Sequence, residues 1–261
     1  MFVSAESDID VRRWCSLVVP AETENQLTGR QNTMSDYFFE LEQPSVSVAG
    51  SDRFFPVHRI YCVGRNYAEH VREMGHDPDR EPPFYFMKPA DAIADSGTSI
   101  AYPPRTENLH HEIEMVVAIG KSGRDINLSS ALDHVFGYAV GIDLTRRDLQ
   151  GLAKKARRPW DVGKSFEGAA PISAIHETGE VGHPAAGRIW LSVNGDIRQD
   201  GNISDMIWNV SETIAELSTL FTLAPGDLIY TGTPAGVGAV TSGDRIEGGV
   251  DGVGEISIRI D

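Results

Sequence analysis

His110-His111-Glu112-Ile113-Glu114-Met115-Val116-Val117-Ala118-Ile119 is the stretch on which the reading of this chain turns. Its second half, 115–119, is a short apolar run with β-branched residues, and 114–119 reads as a buried strand. Its first half sets carboxylates at 112 and 114, and side chains two apart on a strand project from one face. Outward from it the same kind of run recurs. Residues 60–63, 84–87, 136–142, 189–193, 227–230 and 254–260 are short, β-branched or aromatic, and bounded by turn residues. Asn194-Gly195, between 189–193 and 196–198, is a two-residue hairpin signal. Helical patterning is confined to 66–74, 146–156 and 211–220, the last with Ser211 as its expected N-cap. Strands and helices do not alternate, so neither a doubly wound sheet nor a TIM barrel fits. The expectation is a mainly β, α+β domain of mixed topology with few short helices.

The bulk properties set limits around that core. A chain of 261 residues can bury a full core, and 41% hydrophobic with 23% charged residues is ordinary for a globular protein. No apolar stretch approaches the roughly 20 residues needed to cross a bilayer. Residues 1–20 lack the basic start and apolar run of a secretory signal, so a cytoplasmic protein with no membrane partner is expected. A net charge of −15 argues against nucleic acid as a partner. It says little about a small substrate, because a metal and a few cations reverse the potential inside one cleft. Cys15 and Cys62 suggest no disulfide framework, and Cys62 reads as a small buried hydrophobe rather than a nucleophile. Composition changes near residue 50. Residues 1–33 are polar and weakly periodic, and are expected to be a flexible extension with no part in catalysis. Met34 opens a more natural start, 34–58 reads as a lead-in, and 59–261 as the catalytic domain.

Four clusters carry chemistry. Glu112 and Glu114 side by side cost energy unless a cation lies between them, although the same spacing describes a solvated strand edge. A third acid, Asp143, closes the 136–142 run, and three carboxylates suit a hard ion such as Mg²⁺ or Mn²⁺. His70 and Glu73 share a helix face, so the carboxylate can orient the imidazole as a general base. A surface pair of that spacing is also common. Lys164, among Trp160 and Phe166, reads as a desolvated ammonium aimed at an anion, or as a solvated loop lysine. Thr231-Gly232-Thr233-Pro234-Ala235-Gly236-Val237-Gly238 is a glycine-rich loop where backbone approaches a ligand, but it is neither a Walker loop nor a dinucleotide fingerprint.

Taken together, Tyr61-Cys-Val-Gly-Arg-Asn-Tyr-Ala-Glu-His70, Lys88-Pro89, His111-Glu-Ile-Glu114, Asp143-Leu-Thr-Arg-Arg-Asp-Leu-Gln150, Lys164-Ser-Phe166 and the 231–238 loop resemble the fumarylacetoacetate hydrolase family. The resemblance runs from about Arg59 to the C-terminus. Over 34–160, including Gly75-His-Asp-Pro-Asp-Arg-Glu-Pro-Pro83, it is nearest to the bacterial fumarylpyruvate hydrolases of that family, enzymes of gentisate-type aromatic catabolism. It implies a mixed β-sandwich or rolled β fold, a homodimer, and one Mg²⁺ or Mn²⁺ held by Glu112, Glu114 and Asp143. It further implies His70 and Glu73 as a water-activating pair on a lid helix, and Lys164 as oxyanion support. Arg65, Arg147, Gln150 and Thr233 would bind a small 2-oxo acid, with Arg65, Arg72 and Arg147 as candidates for a distal carboxylate. Glu167 stands where the family pattern has Asp, and 168–180 is less familiar, which bears on substrate more than on chemistry. The implied reaction is hydrolysis of an acylpyruvate at a carbon–carbon bond, fumarylpyruvate giving fumarate and pyruvate. The alternatives are a β-keto acid decarboxylase acting on oxaloacetate, an isomerase or hydratase, or a silent metal- or ligand-binding protein.

Overall fold

Strand Ile113–Ile119 is buried along its whole length, as its apolar run at 115–119 requires. The computed structural model describes residues 38–73 and 81–261. The expected extension at 1–33 and most of the 75–83 motif lie outside the described residues. By contact density the chain forms two units, Met1–Glu42 and Gln43–Asp261. Of the first, 38–42 are described and are exposed chain without regular structure. Everything below concerns the second.

Ile113–Ile119 lies between Val135–Ile142 and Leu228–Tyr230, antiparallel to both. The main sheet runs Phe84–Lys88, Ile60–Gly64, Leu228–Tyr230, Ile113–Ile119, Val135–Ile142, Ala170–Ile172, Ile93–Asp95, with His176–Glu177 also paired to Val135–Ile142. Two of its pairings are parallel, Leu228–Tyr230 with Ile60–Gly64 and Ala170–Ile172 with Ile93–Asp95, so the topology is mixed. A second sheet runs Asp196–Asn202, Arg188–Val193, Arg245–Val250, Gly254–Ile260, Ser99–Ile100 and packs on the two central strands of the first. Gly248 marks how close they come: a Cβ there would lie 2.7 Å from Ile113 Cδ1. Ile189, Leu191, Ile246, Ile256 and Ile258 on this second sheet are buried, each side chain contributing roughly 1.5–3 kcal/mol. The fold is a mainly β, mixed sandwich of curled sheets with few helices. A three-stranded ribbon, Thr145–Arg146, Leu109–His111, Gly238–Val240, joins three of the segments that carry polar motifs.

Local chemistry accounts for the connections. Asn194 (φ 53°) and Gly195 (φ 88°) both occupy the left-handed region, making the two-residue hairpin between Arg188–Val193 and Asp196–Asn202. Helices Ala68–Glu73, Arg147–Lys155 and Val210–Leu220 stand where helical patterning is expected. The last is capped by Asn209 rather than by Ser211. Asn209 Oδ1 accepts the Glu212 N–H while the Glu212 carboxylate accepts the Asn209 N–H, a capping box that leaves Ser211 inside the first turn. The four-residue helices Asp161–Lys164 and Thr178–Val181 escape sequence reading because a single turn has no periodicity. No described helix is long and apolar enough to cross a membrane.

Asp227, fully buried at the entry to strand Leu228–Tyr230, ties the start of that strand to the loops beside it. Its carboxylate accepts from Arg59 Nε (2.9 Å) and Nη2 (2.7 Å), His58 Nδ1 (2.9 Å) and the Ala224 N–H (2.8 Å). Removing it leaves several donors unpaired at once. Asp227→Ala is expected to lower the free energy of unfolding by about 2–3 kcal/mol, read by urea denaturation.

Candidate active site

Main-chain register brings the three acids together. Glu114 stands opposite Gly141 and Ile113 opposite Ile142. The ladder then continues one step past the strand end, where the Asp143 N–H donates to the Glu112 carbonyl at 2.8 Å. The strand is interrupted at Glu112, between Leu109–His111 in the ribbon and Ile113–Ile119 in the main sheet. Glu112 therefore lies at the crossing of two sheets rather than within one continuous strand. One oxygen each from Glu112, Glu114 and Asp143 lies within 4.8 Å of the others, and all three residues are buried.

Cations surround this group unevenly. Lys164 Nζ donates to Glu112 Oε2 (2.7 Å), Asp143 Oδ2 (2.5 Å) and Thr145 Oγ1 (2.7 Å). Arg147 pairs with the other Glu112 oxygen through Nη2 and donates to Gln150 Oε1 at 2.7 Å. Lys88 Nζ lies 2.8 Å from Asp143 Oδ1 and donates to the carbonyls of Lys164 (2.5 Å) and Leu144 (3.2 Å). Glu114 accepts a neutral donor, the Gly232 N–H at 2.7 Å.

The electrostatic consequences differ from acid to acid. Burial pushes the Glu112 carboxyl up, but Lys164 and Arg147 overcome it and hold Glu112 well below the usual range. Burial also pushes Glu114 up, and there the negative Asp143 and Glu112 push the same way, so it stands well above that range. Burial disfavours the Lys164 ammonium, yet Asp143 and Glu112 raise its pKa above the ordinary value. Lys164 is thus a buried cation, not a solvated loop lysine. His110 is drawn down to about 4 by burial and by Arg147, which keeps it neutral.

The His70–Glu73 pair belongs to the same place. His70 is 8% exposed, and its Nδ1 donates to Glu73 Oε2 at 3.2 Å. Both Glu73 oxygens also accept the Gly236 N–H at 3.1 Å, linking helix Ala68–Glu73 to the glycine loop. That loop needs its glycines. Gly236 has φ +95°, and a Cβ there would lie 2.1 Å from the Arg198 carbonyl. Asn66, two residues before the helix, donates to the Thr231 (2.7 Å) and Trp208 (2.9 Å) carbonyls and accepts the Trp208 N–H at 2.7 Å.

Arg65, His70, Glu112, Glu114, Asp143, Arg147, Gln150, Lys164 and Thr233 all line one cleft of about 490 Å³, counted with its open mouth. Glu73 supports His70 from behind. Arg72 is not among the lining residues: it pairs with Glu69 on the exposed side of its helix. Two further residues have roles at the site that only the structure reveals, although Lys88 already stands among the motifs of the family resemblance. Lys88 ends the apolar run 84–87, and a lysine buried to 1% is predictable only once its anion is known. Gln199 is the single buried residue of the otherwise exposed stretch 196–200. Its Oε1 accepts His111 Nδ1 (3.0 Å) and the Ile113 N–H (3.0 Å), while its Nε2 donates to Thr233 Oγ1 (2.8 Å) and the Pro234 carbonyl (2.9 Å). It pins the residues on either side of Glu112 to the glycine loop.

A profile for the fumarylacetoacetate (FAA) hydrolase C-terminal domain matches residues 59–261. The chain belongs to the fumarylacetoacetate hydrolase family. A fumarylpyruvate hydrolase of Ralstonia is 49% identical over 189 residues, covering 72% of this chain and 98% of that protein. A mitochondrial oxaloacetate tautomerase, FAHD1, of Rattus norvegicus is 44% identical over 202 residues, covering 77% and 91%. The crystal structure of fumarylpyruvate hydrolase from Pseudomonas aeruginosa in complex with Mn²⁺ and pyruvate has a TM-score of 0.84 at 53% identity, covering 86% of this chain and 98% of that one.

The Gln199 contacts generate a prediction. Gln199→Leu strands the buried Ile113 N–H and the His111 ring, each worth about 1–3 kcal/mol when unpaired. The variant is expected to unfold at clearly lower urea concentration than the wild type, with an unchanged denaturant slope.

Proposed function

We propose that the 59–261 domain of this chain is a divalent-metal-dependent hydrolase that cleaves an acylpyruvate, with fumarylpyruvate converted to fumarate and pyruvate. The observation that carries the reading is one cleft lined by a carboxylate-supported histidine, three clustered acids and a buried ammonium. The donor set fits a hard ion. Three carboxylate oxygens converge, and burial together with the negative Asp143 and Glu112 pushes the Glu114 carboxyl up, a condition that a cation relieves. Glu112, Glu114 and Asp143 would hold Mg²⁺ or Mn²⁺, which supplies Lewis-acid polarisation of the 2-oxo acid when bound.

The rest is assigned to the chain's own groups. Because His70 donates through Nδ1 to Glu73, its Nε2 is the nitrogen left to take a proton from water. The resulting hydroxide adds to the 4-oxo carbon. The C3–C4 bond then breaks, its electron pair passing to C3 as the enolate of pyruvate. Lys164 stabilises that charge. The proton held by His70 returns to C3, giving pyruvate, while the former C4 leaves as a carboxylic acid. The Glu73–Gly236 contact supports helix Ala68–Glu73 as a lid over the cleft. The expected homodimer belongs to the same proposal, and a monomeric mass by sedimentation would remove it.

A second reading is favoured by the 44% identical oxaloacetate tautomerase. Keto–enol exchange at C3 needs the same base and anion stabiliser but no attacking water. The two separate in one experiment, because hydrolysis releases a second acid and tautomerisation conserves the carbon skeleton.

With fumarylpyruvate and Mn²⁺, ultraviolet loss of substrate is expected to yield fumarate and pyruvate. EDTA should abolish it, and His70→Ala should lower kcat about 10²–10⁴-fold. Loss of oxaloacetate enol signal without any cleavage of fumarylpyruvate would instead select the tautomerase. Independently of turnover, Mn²⁺ at 100 times its Kd should stabilise the wild type by about 2.7 kcal/mol in thermal melts, an effect that Glu114→Gln largely removes.

A further inference from the structure

The acids that line the cleft are all buried, whereas its less buried charged residues are all basic. These are half-buried Arg147 and Lys154 and exposed Arg65. Helix Arg147–Lys155 arranges this, since Arg147, Gln150 and Lys154 fall at i, i+3 and i+7 and all line the cleft. Arg147 is engaged by Glu112 and Gln150, and Lys164 by Glu112 and Asp143. Lys154 is different. Among the described residues it has no carboxylate partner, and its Nζ lies over the Trp160 ring, 5.6 Å from the centroid. Trp160 is itself held against Phe84 and Phe86, with centroids 4.9 and 5.8 Å away, so the ammonium rests on a rigid aromatic wall. Burial, and then the like charges of Arg65 and Arg147, pull the Lys154 pKa below its ordinary value. A half-buried ammonium that shares one cleft with two guanidinium groups is stabilised by an incoming anion.

We infer that Lys154, backed by Trp160, is a specificity-determining residue that receives a second carboxylate, at the far end of the acyl group, and so selects dicarboxylic over monocarboxylic acylpyruvates. The inference rests on the hydrolase reading for the orientation of the substrate. Its first carboxylate and 2-oxo group take the acidic end of the cleft, and the acyl chain then points toward Lys154. Arg147 and Gln150 lie between the two ends on the same helix face. Lys154 makes no contact with the reacting atoms, so its contribution falls on KM and on the preference between substrates.

The test uses the full chain loaded with Mn²⁺ and two substrates, fumarylpyruvate with a distal carboxylate and acetylpyruvate without one. Lys154→Met keeps the aliphatic stem against Trp160 and removes only the charge. It is expected to lower the fumarylpyruvate-to-acetylpyruvate ratio of kcat/KM by about tenfold or more, mainly through KM, the size of one lost charge-assisted hydrogen bond. Lys154→Arg should recover most of that ratio. An unchanged ratio in Lys154→Met overturns the inference while leaving the hydrolase reading intact. If the wild type cleaves neither compound, the hydrolase reading fails, and calorimetric binding decides the Lys154 assignment alone. Fumarate binding tighter than crotonate in the wild type but not in Lys154→Met supports it, and equal binding of the two acids by the wild type overturns it.

Discussion

Three carboxylates buried within 4.8 Å of one another are the constraint around which the rest of the domain is arranged. Each buried charge costs several kcal/mol of lost hydration, and each acid repels the other two. Such a group persists only where surrounding structure holds it in place. Here the holding is done by main-chain register: the pairing of Ile113–Ile119 with Val135–Ile142 leaves Glu114 in the ladder and delivers Glu112 and Asp143 just past its end. Since side chains alternate along a strand, a slip of one residue would turn Glu114 to the opposite face. The apolar sandwich is therefore what makes the acidic cluster affordable.

The cations are distributed so that the cluster is stabilised without being closed. Lys164 and Lys88 grip Asp143 from its two oxygens, and Lys164 and Arg147 do the same for Glu112. Glu114 meets a backbone N–H instead, and the repulsion it feels is the local imbalance that favours a bound cation. The histidine is fixed by a separate device. Glu73 joins His70 to the glycine loop through Gly236, and Gln199 joins that loop to the residues flanking Glu112. A shift at either end is thereby felt at the other through hydrogen bonds rather than through loose packing.

How far this was readable beforehand depended on the range of the interaction involved. The seven principal strands and the Asn194-Gly195 turn are local patterns, set by side-chain alternation, β-branching and left-handed backbone, and they appear in the structure near their expected places. The short helices at 161–164 and 178–181 were invisible because one turn carries no period. Ser211 is not the cap, because Asn209 and Glu212 make an equally local signature that starts two residues earlier. Arg72 was grouped with the cleft on charge alone, whereas its position on the helix turns it to Glu69 and solvent.

From its sequence alone this protein's strand-dominated character, its family resemblance and the residue types of the acidic and histidine motifs could be read, because each lies in a contiguous segment. Tertiary structure alone decided which of them meet. Glu114 and Asp143 are neighbours through strand register, Lys88 is a buried counter-ion only because Asp143 arrives beside it, and Gln199 comes from the opposite sheet to brace Glu112. Lys154 likewise became distinct from the other basic residues of 146–158 only when the helix turned it toward Trp160 and the cleft. The physical reason is common to all four. Burial and the identity of a charge's nearest partner are set by contacts between residues distant in the chain, and these decide whether a lysine or a glutamine is solvated surface or part of a site.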